Sequence, residues 1–204
     1  MTSSVKADRW CAPRPLGGCP GAAAVDGSWR VLEEWVRDYL CRPHPDLGRR
    51  GPVCPYTRRA MEQGALYGVL WPHPVGGPQD MTMVMQPYVQ WFERRCGEAS
   101  DHALLVGFPA LPAREWAPVI EGAQRLLKPS LVRQGLMIGE FHDGPPSAPG
   151  VRNPAFRPLS SPLPLLALRR MVRSDGVFLA DDPEHRAAYR ARFPHALPYP
   201  RTTE

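Results

Sequence analysis

Proline punctuates this chain so densely that every regular element must either stop at one or absorb it. The 204 residues include 26 Pro and 18 Gly, over a fifth of the chain against about 12% in an ordinary domain. Each proline fixes φ and removes a backbone donor, so the expectation is one compact domain with long irregular connections. A core is still affordable. Apolar residues make up 43% of the chain, with six each of Trp, Tyr and Phe, and the length suits one domain of ordinary size.

Residues 1–27 mix Ser, Gly, Ala and Pro without periodicity and read as a disordered N-terminal arm. Residues 28–204 read as a single globular domain. Trp29, Leu32, Trp35, Val36, Tyr39 and Leu40 recur at helical spacing over an otherwise charged face, and Arg42-Pro43 ends that helix. A second helix is expected to open at Pro55, a third over Asp80–Cys96 containing Pro87, and a fourth over Pro112–Gly135 interrupted at Pro129. Short strands are predicted at Tyr67–Trp71, Ala103–Phe108 and Leu136–Phe141. Gly144–Pro162 reads as a long Pro-rich loop, Leu163–Val172 as a short apolar helix and Pro183–Phe193 as a polar terminal one. Helix and strand alternate, predicting an α/β or α+β domain with a short central sheet flanked by helices.

Several classes of function are disfavoured. No apolar run approaches the ~20 residues that cross a bilayer, and no apolar stretch near the start suits a secretion signal, so a cytoplasmic protein is expected. The five Cys (11, 19, 41, 54 and 96) contain no C-x-x-C pair, which argues against a disulfide framework or structural zinc. The net charge of +5 comes from 23 Arg and two Lys spread along the whole chain. No basic run is interleaved with aromatics, so nucleic acid is not the expected partner. P-loop, dinucleotide and G-x-S-x-G signatures are missing as well.

Three segments carry candidate chemistry. The first is Gly48-Arg49-Arg50-Gly51-Pro52-Val53-Cys54-Pro55-Tyr56-Thr57-Arg58-Arg59. A helix opening at Pro55 would place Cys54 at its N-cap, where the dipole and neighbouring Arg favour a thiolate or a bound anion. Arg49 and Arg58 are then the expected partners of a substrate carboxylate. The plainer reading leaves Cys54 a small buried hydrophobe and the Arg side chains a solvated face. The second segment is Met137-Ile138-Gly139-Glu140-Phe141-His142-Asp143-Gly144, a strand running into a turn. His142 at a rigid strand end suits a metal, with His44 and Asp143 as the companions a non-haem iron site would need. A surface or hydrogen-bonded histidine is the plainer alternative. In the third segment, Asn153 to Val172, prolines stiffen an apolar wall while Arg157, Arg169 and Arg170 supply guanidinium forks for carboxylates.

Taken in order, G-R-x-G-x-V-C-P-Y, K-P-x-x-V-x-x-G-L-M-I-G-E-F-H and N-P-x-F-x-P-L-x-S-P-x-P-L-L-A-L-R-x-M-V-x-x-D resemble an uncharacterised family of small bacterial proteins, mostly actinobacterial. Members look like tailoring or accessory proteins of specialised metabolism, and the resemblance spans about residues 28–195. Cys54-Pro55-Tyr56 and Asn153-Pro154 are also similar to segments of the small haem-dependent amine N-oxygenases. That likeness implies a haem oxidase or oxygenase, an iron-dependent monooxygenase of an amino-acid-like molecule bearing a carboxylate. Under it, chemistry rather than motif identity would make His142 the axial ligand and Arg157 or Arg169 the propionate partners. Cys54 and Tyr56 would face the reaction. The alternatives are a cofactor-free binder or thiol-dependent enzyme at Cys54, and a non-catalytic accessory protein. A homodimer is a further expectation.

Overall fold

The computed structural model describes residues 10–17, 27–98, 101–145 and 153–196. Its centre is a five-stranded mixed sheet in the order β1-β2-β3-β5-β4, formed by Arg14–Pro15, Leu66–Leu70, Ala103–Gly107, Leu136–Phe141 and Leu165–Arg170, numbered β1 to β5 along the chain. Strands β2 and β3 are parallel, whereas β5 runs antiparallel to both β3 and β4. Consequently β2, β3 and β4 all point the same way, as strand–helix–strand units require.

Helices cover both faces. On one lie α1 (Gly27–Trp35), continued by a π-helical turn at Val36–Leu40, and the short α2 (Thr57–Glu62). Their Trp29, Leu32, Trp35 and Ala60 pack with Leu66, Leu105 and Leu165 of the sheet. On the other lie α3 (Pro78–Cys96) and α4 (Trp116–Arg133), whose Met85, Tyr88, Phe92, Ile120 and Leu127 pack with Val69, Val106, Ile138, Leu166 and Leu168. Side chains alternate along each strand, so the two apolar layers are separated by the sheet itself. Helix α5 (Pro183–Arg192) closes the β4 edge, with Tyr189 beside Met137 and Val132. Pro87 and Pro129 are accommodated inside α3 and α4.

Three expectations are corrected. Leu163–Val172 is not a helix: Leu165–Arg170 is the inner strand β5, bonded on both sides. A strand covered on both faces has no polar side to betray a period of two, so its run of Leu resembles a short core helix. The second helix starts at Thr57 with Tyr56 as its N-cap, so Cys54 does not cap it. The amides of Val53 and Cys54 are bonded to the carbonyls of Arg42 and Leu40 at 2.8 and 3.0 Å, which holds this segment against the end of α1. Part of the expected N-terminal arm also belongs to the fold. Arg14–Pro15 pairs with β2, Leu16 is 1% exposed, and Trp10 stacks on Tyr88 with ring centroids 4.7 Å apart. A pair of bridged residues, one buried leucine and one stacked tryptophan are too short a signal for periodicity to reveal. Residues 1–9, 18–26 and 146–152, the last within the expected Pro-rich loop, lie outside the described residues.

Candidate functional site

The sequence-predicted residues fall on two faces of the sheet. On the α1/α2 face, residues 41–56 form the connection into α2, whose arms are bridged at Pro43 and Pro52. Gly51 turns between them at φ +97°, a conformation strained for any residue with a Cβ. Pro43, Gly51, Pro52 and Pro55 line a cleft of about 390 Å³ together with Arg58, Arg59 and Glu62. Arg58 also donates to the Cys41 carbonyl at 2.6 Å, and Arg49 donates to the carbonyls of Val53 and Arg50 at 3.0 and 3.2 Å. Arg49 therefore braces the loop, whereas Arg58 both braces it and lines the cleft.

Cys54, half-buried in this loop, and the exposed Tyr56 lie within electrostatic reach of Arg169 on β5. The Arg169 fork is already committed: its two terminal nitrogens donate to the Asp175 carboxylate at 2.7 and 2.5 Å. Burial works against the Arg169 charge, but the hydrogen bonds and charge of Asp175 outweigh it and hold the guanidinium pKa above its usual value. Tyr56 Oη is 2.8 Å from Ser174 Oγ, next to that pair.

Arg157 lies on the same face, in the segment that crosses the end of α1. Its guanidinium donates to the Pro154 carbonyl at 2.5 Å, and its own carbonyl accepts from Tyr39 Oη at 3.2 Å. Trp35 Nε1 anchors the segment again at the Ser160 carbonyl, 3.0 Å away. Phe156 stacks on His44, with centroids 4.6 Å apart. Arg157 and His44 thus fasten a chain crossing.

His142 belongs to the opposite face. It follows β4, is 0% exposed, and sits beside Glu121 of α4. Its Nδ1 is 2.8 Å from the Asp143 carbonyl. A carbonyl only accepts, so Nδ1 carries the proton. Nε2 lies 3.2 Å from Glu121 Oε1 but is not aligned for a hydrogen bond. Glu140, two residues back on the same side of β4, has its carboxyl pKa raised, first by burial and also by the Glu121 charge, against the pull of its own backbone amide, Lys128 and His142.

A carboxyl raised on folding binds its proton more tightly in the native state. Its contribution therefore falls as pH climbs from the ordinary Glu value, about 4.3, through the higher native one. Glu140→Gln is expected to stabilise the protein at pH 7, with the gain shrinking toward pH 4; paired denaturant titrations at the two pH values measure it. An equal gain at both would assign the effect to something other than ionisation.

The structure thus brings Cys54, Tyr56 and Arg169 together and places Arg58 on a cleft in the same loop region. His142 is not with them. Phe141 pairs with Leu165 and Met137 with Arg169, so Arg169 also lies several rungs along the sheet from the end of β4 where His142 sits. The imidazole of His142 sits beside Glu121 of α4, whereas the Arg169 guanidinium is held by Asp175 on the side of Cys54, so these two lie in different layers; the backbone of His142 bridges Ser160 in the segment that carries Arg157. His44 is likewise on the α1 side, apart from His142, and Asp143 holds the imidazole through its backbone carbonyl. Among the described residues no group of three or more His, Cys, Asp or Glu is placed to hold a metal ion.

Sequence reasoning missed Glu121, Asp175 and Cys41 as neighbours of the candidate residues. Glu121 is an ordinary charge on an amphipathic helix, and Asp175 and Cys41 meet their partners only through tertiary packing. Asp175 at the end of the third motif was the one available signal.

The fold and site define a single mixed α/β domain with a five-stranded sheet and a proline-walled cleft edged by arginine. The chain belongs to the family described as domain of unknown function (DUF6875), whose model matches residues 29–204. No curated protein and no solved structure matches it significantly. No helix among the described residues is long and apolar enough to cross a membrane.

Proposed function

We propose that this protein is a cofactor-free binder of a small carboxylated molecule, held in the cleft between the 43–55 loop and α2. The observation that carries this reading is the placement of Arg58 and Arg59 on one wall of a cleft whose other wall is built from prolines. Guanidinium groups bind carboxylates through paired, charge-assisted hydrogen bonds. A wall stiffened by Pro43, Pro52 and Pro55 loses little entropy when a ligand seats against it. Glu62 on the same wall supplies the opposite charge, so a molecule carrying both an ammonium and a carboxylate, such as an amino acid, suits the cleft. The site's ~390 Å³ lies at the small end of the range for ligand pockets.

The test is calorimetric titration of the full chain with a panel of amino acids and simple carboxylates. Saturable binding is expected for at least one. Arg59→Ala, which leaves the Arg58 brace on Cys41 untouched, should weaken it about tenfold, the share of one charge-assisted contact. Unchanged affinity in Arg59→Ala, or no binding by any member of the panel, would overturn the reading. An absorption spectrum from 350 to 700 nm after growth with haem precursor separates it from the oxygenase alternative. A Soret band that scales with protein and disappears in His142→Ala would replace the present proposal with haem binding on the other face.

A further inference from the structure

Cys41 and Cys54 stand on opposite arms of the same loop, and their backbones are held together by the bonds that close it. The Leu40 carbonyl accepts from the Cys54 amide at 3.0 Å, the Arg42 carbonyl accepts from the Val53 amide at 2.8 Å, and Pro43 bridges Pro52 beyond them. Cys41 is bracketed by the first two bonds. With standard bond lengths, a 3.0 Å bond from the residue preceding Cys41 keeps the two Cα atoms within about 7 Å. Disulfides form when that separation is about 4.4–6.8 Å, so the bonds that close the loop hold the two residues close to disulfide range, with Cys41 ending the π-helical turn at φ −85° and ψ −1°. Both residues carry free thiols, and each lies in the other's electrostatic field.

We propose that Cys41 and Cys54 are a redox-active dithiol, which a peroxide converts reversibly into an intramolecular disulfide. The two sulfurs have different exposure and so different roles. Cys54 is half-buried and open to a small oxidant, whereas Cys41 is 3% exposed. Cys54 sulfur attacks one peroxide oxygen, the O–O bond breaks, and the distal oxygen leaves as water, giving a sulfenic acid. Cys41 sulfur then attacks the Cys54 sulfur, the S–O bond breaks, and the second oxygen leaves as water. The two thiol protons end in the two waters, and two electrons pass from sulfur to peroxide. Burial pushes the Cys41 thiol up, with Arg58 pulling it back, which fits a resolving thiol that acts second. Cys96 is buried in the α3 layer across the sheet, its thiol pushed up to about 11, and does not compete for Cys54.

The disulfide would close residues 41–54 into a ring containing Pro43, Gly51 and Pro52 of the cleft wall, and would tether the carbonyl that Arg58 grips. The dithiol requires no ligand in that cleft, so its test is independent of the binding proposal. Reduced full-length protein is treated with stoichiometric hydrogen peroxide and digested with trypsin without reductant. Cleavage after Arg49 and Arg50 separates the two cysteines, so the disulfide appears as a two-chain peptide, two hydrogens lighter than its parts, that dithiothreitol divides.

In Cys41→Ser, dimedone is expected to trap a sulfenic acid at Cys54. In Cys54→Ser, Cys41 should remain a thiol. A Cys54 cross-link to any other cysteine, or Cys54 driven to sulfinic acid in the wild-type chain while Cys41 stays reduced, would overturn the proposal. If Cys41→Ser does not fold, the wild-type peptide map decides alone.

Discussion

Asp175→Ala should lower the unfolding free energy by about 2–3 kcal/mol, toward the low end of what breaking a buried charge pair costs, because Asp175 is buried but the Arg169 side chain left behind is 29% exposed. Asp175 is 1% exposed, takes both terminal nitrogens of Arg169, and also accepts from the Val172 amide at 2.8 Å. Truncation removes all three acceptor contacts at once and leaves a guanidinium facing the half-buried Cys54. Asp175→Asn keeps the shape and one carbonyl acceptor, so a smaller loss is expected. Urea unfolding of the three proteins measures the difference. A loss within 1 kcal/mol for the Ala variant would mean that Arg169 finds water or another partner, and that the pair does not hold the turn after β5 in place. The neighbouring Tyr56–Ser174 contact should loosen with it, visible as a change in tyrosine fluorescence.

Leu168→Ala is the second large effect. Leu168 is 0% exposed on β5, opposite Leu104 of β3 and Ile138 of β4. Its side chain faces the α3/α4 layer, in the same cluster as Phe92, Ile120 and Leu127. Such truncations cost about 2–5 kcal/mol through lost transfer energy and residual cavity. A value near 3 is expected because the site is enclosed by two strands and two helices that cannot all relax inward. Leu168→Met, close in volume, should cost less than about 1.5 kcal/mol. A small loss for the Ala variant, measured by the same unfolding experiment, would show that the layer collapses more readily than a close-packed core does.

Local sequence was most informative where one side of an element faces water. Helix α1 was legible from its Trp and Leu spacing against charged neighbours, α3 and α4 from their apolar faces despite an internal proline, and β4 from its buried run stopped by His142 and Gly144. The mixed α/β class followed from their alternation. The same reasoning misread β5, because a strand buried on both sides has no contrasting face. It also misread the start of α2, because long-range bonds to Leu40 and Arg42 outrank the helix-opening preference of Pro55.

The candidate site divides in the same way. Chemistry-bearing side chains were recognisable from sequence: Cys54 among arginines, His142 at a strand end, and guanidinium groups flanking a Pro-rich stretch. Their grouping was not. His142 and Arg169 are equally recognisable as chemistry-bearing residues, yet one faces α4 and the other faces Cys54, because side chains alternate along a strand and the β4–β5 register sets Arg169 on the side of Met137 rather than of Ile138. A change of one in parity moves a residue to the other layer, and neither composition nor motif order records which side that is. Local patterning and motif order establish the mixed α/β class and the reactive residue types. Only the tertiary structure set Asp175 on Arg169, Glu121 on His142 and Cys41 beside Cys54, since contacts between distant segments depend on register, strand order and the face each helix covers.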